Sequence, residues 1–70
     1  MTRYYRIRQG NVLAMHVSGP DQDDYVLVQR IPSGVPDELH VSALRRLTDS
    51  EARQSLTEHP QWVARVQGAV

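Results

Sequence analysis

Three features of the chain predict an α+β fold, a small antiparallel sheet of four strands followed by a C-terminal helical tail. Apolar residues alternate with polar ones in three runs between Tyr4 and Ile31, the period of half-buried strands. The spacing changes within Leu39 to Leu47, where Leu39 and Val41 alternate but Leu44 and Leu47 fall three apart, as in a helical turn. Downstream, Thr48-Asp49-Ser50-Glu51 matches a capping box. The 70 residues are expected to make one domain, with a β-rich part over 4–47 and a helical tail over 48–67.

The first strand is expected over Tyr4 to Arg8, with Tyr5 and Ile7 on one face and Tyr4, Arg6 and Arg8 on the other. Gln9-Gly10-Asn11 follows, and Gly and Asn tolerate the positive φ of a tight hairpin. Val12 to Ser18 is the second strand, with Leu13, Met15 and Val17 as its more apolar row. Ser18 to Asp24 carries Gly, Pro and three Asp, so it is a loop. Tyr25 to Ile31 is the third strand, rich in the β-branched and aromatic residues that pleated surfaces favour. Pro32 to Asp37 is a connection, because its two prolines cannot donate ladder hydrogen bonds, and Glu38 to Val41 is a short fourth strand.

In the tail, the Thr48 hydroxyl is expected to accept from the Glu51 amide while the Glu51 carboxylate returns to the Thr48 amide. Leu47 sits where a hydrophobic staple belongs, and a helix runs from Asp49 to about Thr57 with Ala52 and Leu56 inward. Residues 60–67 read two ways. Pro60 can start a second helix with Trp62 and Val66 one turn apart, or Trp62, Ala64 and Val66 can alternate as a fifth strand. Pro60 at the first helical position favours the helix.

Zero net charge, 40% hydrophobic and 23% charged residues describe an ordinary globular domain and not a disordered chain. No apolar run approaches the ~20 residues of a membrane span, and the basic start, Met1 to Arg6, lacks the apolar stretch of a secretory signal. There is no cysteine, which excludes disulfides and thiolate zinc sites, and a cytoplasmic location is expected. A chain this short buries only about 60% of the surface its unfolded form exposes, so a homodimer is the expected route to a larger core. All eight basic residues are arginine. Guanidinium forks suit carboxylates and phosphates, yet zero net charge favours the other explanation, the arginine codons of a GC-rich genome.

The strand runs, the polar mid-chain loop and the Leu-x-Val-x-x-x-Leu-x-x-Leu pattern of Leu39 to Leu47 resemble a small SH3-like β-barrel over about residues 4–47. In that superfamily the fourth strand commonly runs into a single helical turn, which the resemblance places at Val41 to Leu47. One branch, the type II dihydrofolate reductases, lines its active pore with a Val-Gln-Ile-Tyr motif. The matching stretch here, Glu38-Leu39-His40-Val41, lacks both the Gln and the Tyr, so no catalytic residue carries over.

No constellation in the chain predicts catalysis, a cofactor or a metal. His16, His40 and His59 lack the close spacings of zinc sites, although His16 and His40 both fall on the polar side of a strand. Asp21, Asp23 and Asp24 start like a calcium loop, but no Gly follows and no Glu closes it. Two surfaces remain. Leu56, Trp62, Val63 and Val66 form a candidate protein interface, since Trp is a frequent anchor and a tail helix has little core of its own, while Trp62 reads equally well as a core residue closing the bottom of the barrel. Tyr4, Arg6, Arg8, Arg45 and Arg46 form a candidate nucleic-acid face, with Tyr4 to stack a base and guanidiniums to hold phosphates. The expected function is a non-enzymatic protein-binding module, a phage or bacterial accessory protein that binds and inhibits or regulates a host protein. The alternative is a nucleic-acid-binding regulator.

Overall fold

The computed structural model describes residues 2–63. Its elements are β1 (Tyr4–Ile7), β2 (Val12–Ser18), β3 (Tyr25–Arg30), β4 (Pro36–His40), β5 (Leu44–Arg46) and α1 (Asp49–Leu56), with a further helical turn over residues 60–63. The five strands form one antiparallel sheet in the order β4-β3-β2-β1-β5, curled into a half-barrel compatible with an SH3-like fold. The α+β arrangement is as the sequence predicts. At residues 60–63 the helical alternative is the one adopted. Residues 64–67 of the expected tail lie outside the described residues.

The β1–β2 hairpin closes through a 3-10 turn at Gln9–Asn11, where Gly10 (φ 84°) and Asn11 (φ 52°) take the positive values their side chains permit. The turn sets the register at Ile7 opposite Val12 and Tyr5 opposite Ala14. The apolar residues of β1 therefore share a face with Val12 and Ala14, while Leu13 and Met15 share the other face with Tyr4 and Arg6. Both faces of the sheet are buried. Tyr5, Ile7, Ala14, Val26, Val28 and Leu44 fill the concave side, with Val12 and Leu39 packed against them. Leu13, Ile31, Leu47, Ala52 and Trp62 build a second cluster under α1, joined by Tyr4, Met15 and Leu56.

This two-sided burial corrects the reading of the joint. The expected helical turn from Val41 to Leu47 is helical only at Val41–Ala43, a 3-10 turn, and the next three residues are β5, paired with β1. Leu44 and Leu47 are three apart because residues at odd separation in extended chain point to opposite faces. Leu44 joins the concave cluster and Leu47 the helix-side one. A second correction concerns β4, which begins at Pro36, two residues before the expected start. It is the last strand on its side of the sheet, and a proline at the first position of an edge strand leaves no inner ladder donor missing.

In the β2–β3 loop the Asp21 carboxylate accepts from the amides of Asp23 and Tyr25, both at 2.9 Å, which closes the acidic turn on itself. Gly19 enters that loop at φ 102°, and a Cβ there would stand 2.9 Å from the Tyr25 carbonyl oxygen and 3.3 Å from the Val26 Cα. Neither neighbour is a side-chain end that can swing away. Gly19→Ala is expected to cost about 1–3 kcal/mol, measured as a lowered urea midpoint.

The capping box forms as predicted. The Glu51 amide donates to Thr48 Oγ1 at 3.2 Å and the Thr48 amide donates to Glu51 Oε1 at 3.1 Å, with Arg45 bridging to Glu51 Oε2 at 3.0 Å. The Thr48 amide and then the Arg45 guanidinium hold the Glu51 carboxyl below the usual carboxylate range. Because the folded value lies below the unfolded one, this contribution is present above the unfolded value and is lost as pH falls through the folded one. Thr48→Ala is expected to destabilise the chain by about 1 kcal/mol. Glu51→Gln keeps the reach-back acceptor but should flatten the loss of stability on acidification below about pH 4, read by circular dichroism.

Candidate functional site

The helical tail builds an open apolar surface. Arg53, Leu56, Thr57 and Pro60 follow the i, i+3, i+4, i+7 spacing of one helical face, and with Val63 they line a groove of about 420 Å³. His59 precedes the second turn as the sequence suggests, its carbonyl accepting from the amides of Trp62 (3.1 Å) and Val63 (3.3 Å). The groove is apolar along Leu56, Pro60 and Val63. Arg53 stands on its rim, exposed, and forms no ion pair among the described residues.

Of the candidate interface residues, Leu56 and Val63 meet in this groove. Trp62 does not; it is 6% exposed and packs into the helix-side core with Leu13, Ile31, Leu47 and Ala52. Its ring lies beside the β3–β4 loop, where a Cβ added at Gly34 would stand 3.6 Å from the ring edge. Val66 lies outside the described residues. Arg53, Thr57 and Pro60 were missed in the sequence, although their helical spacing was there to be read beside the inward row of Ala52 and Leu56.

The arginine and tyrosine candidates are dispersed. Tyr4 packs against the helix-side cluster, and burial pushes its phenol up from the ordinary value. Arg6 runs beneath α1, where Nη2 donates to Ser55 Oγ at 3.0 Å and Nη1 donates to the Asn11 carbonyl at 3.0 Å. Arg8 donates through Nε to the Ser42 carbonyl at 3.1 Å, and Arg45 is held by Glu51. Arg46 is exposed on the edge strand and points to the opposite face from Arg45, opposite Tyr5. The flat stacking face sketched by strand alternation is therefore occupied by the tail.

The histidines do not converge. His16 lies on the concave side, opposite Val28, and its Nδ1 is 2.9 Å from the Tyr5 hydroxyl. His40 lies on the other face, where it meets Tyr25 edge-on at 5.4 Å and bonds Ser42 Oγ through Nδ1 at 2.8 Å. The register separates them: His16 shares the face of Ala14, Val28 and Leu39, while His40 follows Leu39 on the other face, and a bulge in β2 after His16 leaves Val17 50% exposed. Among the described residues no group of three or more His, Asp or Glu side chains is placed to hold a metal, and no helix is long and apolar enough to cross a membrane.

No protein-family model matches the chain, and comparison with curated proteins and with solved structures finds no match.

Proposed function

We propose that the chain is a small non-enzymatic protein-binding module of SH3-like type that takes a partner segment into the groove between α1 and the turn at 60–63. The observation that carries this reading is the groove itself, apolar at Leu56, Pro60 and Val63 and closed at its rim by the uncompensated charge of Arg53. Such a surface complements a short segment with two or three apolar side chains followed by a carboxylate. The packing of Trp62 supports it indirectly, because a tail fixed to the sheet presents a preformed groove and costs little ordering on binding. An accessory role, in which the module inhibits or regulates a larger host protein, suits the size of the chain.

The nucleic-acid alternative draws less support, since Tyr4 and Arg6 lie under the tail and the net charge of zero provides no long-range steering. Affinity purification of the tagged chain, with and without nuclease, separates the two. A stoichiometric protein that stays bound after nuclease treatment and through a salt increase from about 50 to about 200 mM is the expected result. Loss of all bound material with nuclease would overturn the proposal, and so would capture of nothing but a second copy of the chain.

A further inference from the structure

Three strands bring a second, unrelated set of groups together on the concave face. Arg46 on β5 lies directly opposite Tyr5 on β1. The His16 amide donates to the Arg3 carbonyl at 2.8 Å, which carries the β1–β2 pairing one residue past Tyr4 and Met15 and sets Arg3 beside His16. Alternation then puts Arg3, Tyr5, His16 and Arg46 on the same face. The Tyr5 hydroxyl sits among them and holds His16 Nδ1 at 2.9 Å. With that hydroxyl as donor, the imidazole proton resides on Nε2, the donor left for a ligand.

The cations of this group lack the partners that four of the other arginines have. Arg6, Arg8, Arg30 and Arg45 are bonded to Ser55, Ser42, Asp37 and Glu51 respectively. Arg3 and Arg46 form no ion pair among the described residues. Burial, then the charges of Arg3 and Arg46, lower the His16 pKa, so the two guanidiniums act on one ring. Like charges gathered without a carboxylate between them raise the energy of the site until an anion is bound.

We propose that Arg3, Arg46 and His16 form a binding site for a phosphate-type dianion, either free phosphate or a phosphomonoester. Two guanidinium forks with the Nε2–H donor of His16 match the charge and oxygen count of such a group better than those of a single carboxylate. A polynucleotide fits less well, because Tyr4 and Tyr5 are both packed in core clusters and leave no ring beside the site for a base. The site stands independently of the tail groove.

The test is an NMR titration of the His16 ring in the full chain, in inorganic phosphate and in chloride at equal ionic strength. The groups facing His16 are Arg3 just before β1, Tyr5 on β1 and Arg46 on β5, with the uncharged Val28 opposite on β3. Phosphate should move the His16 midpoint upward, and Arg3→Gln combined with Arg46→Gln should abolish that movement while the amide spectrum stays folded. Phosphoserine and a nucleoside monophosphate, run as separate arms, tell which phosphomonoester is preferred over free phosphate. The same midpoint in phosphate and chloride, or an undiminished movement in the double variant, would overturn the proposal. A response to an oligonucleotide alone would do so too.

Discussion

Trp62→Ala is expected to remove most of the stability of the chain. The side chain is 6% exposed and touches both the sheet and α1 through Leu13, Ile31, Leu47 and Ala52. Truncating a buried Trp costs about 3–5 kcal/mol, from lost burial and from the cavity left behind. A domain of this length has a total stability on the order of 4–10 kcal/mol, at roughly 0.05–0.15 kcal/mol per residue. The loss is thus comparable to the whole. Far-ultraviolet circular dichroism in urea is the appropriate readout, since Trp62 is the only tryptophan and fluorescence would vanish with it. Val35→Ala, at a side chain 53% exposed, should shift the midpoint hardly at all.

Binding should respond to the opposite pair of positions. Arg53→Glu reverses the charge at the rim of the groove and leaves the core untouched, so the fold should survive while partner affinity drops at least about tenfold. Its cost to α1 is limited to the favourable placement of a basic residue in the last turn, about 0.3–1 kcal/mol. Val63→Asp places an unpaired carboxylate in the apolar part of the groove and should abolish capture of the partner. Val35→Asp, on the exposed β3–β4 connection, serves as the control that should bind normally.

The strands and the cap were legible because their signals are local. Alternation in Tyr4 to Ile31, Gly10-Asn11 and the Thr48/Glu51 pair each state a backbone preference within a few residues. What the sequence concealed depends on a choice made across the sheet. The apolar rows Tyr5/Ile7 and Leu13/Met15 were read as belonging to one core, whereas the hairpin register sends them to opposite faces. Leu44 and Leu47 carried the same information, and their spacing of three was read as helical because a one-sided sheet was assumed. Once both faces are buried, Tyr4 and Arg6 are under the tail, and the stacking surface drawn on them is no longer open. Trp62 was read as an interface anchor and as a core plug; the structure places it in the core. The grouping of Arg3, His16 and Arg46 was invisible for another reason: it spans three strands, and the pairing of β5 with β1 was not anticipated.

The central claim, that the groove between α1 and the turn at 60–63 receives an apolar segment with a carboxylate, is tested most directly by amide chemical-shift mapping with the captured partner. Shifts concentrated at Arg53, Leu56, Thr57 and Val63, and absent in Arg53→Glu, are the result the account predicts. Shifts confined to the Tyr25, His40 and Val41 rim, or to the concave strands, with the groove unchanged, would contradict it.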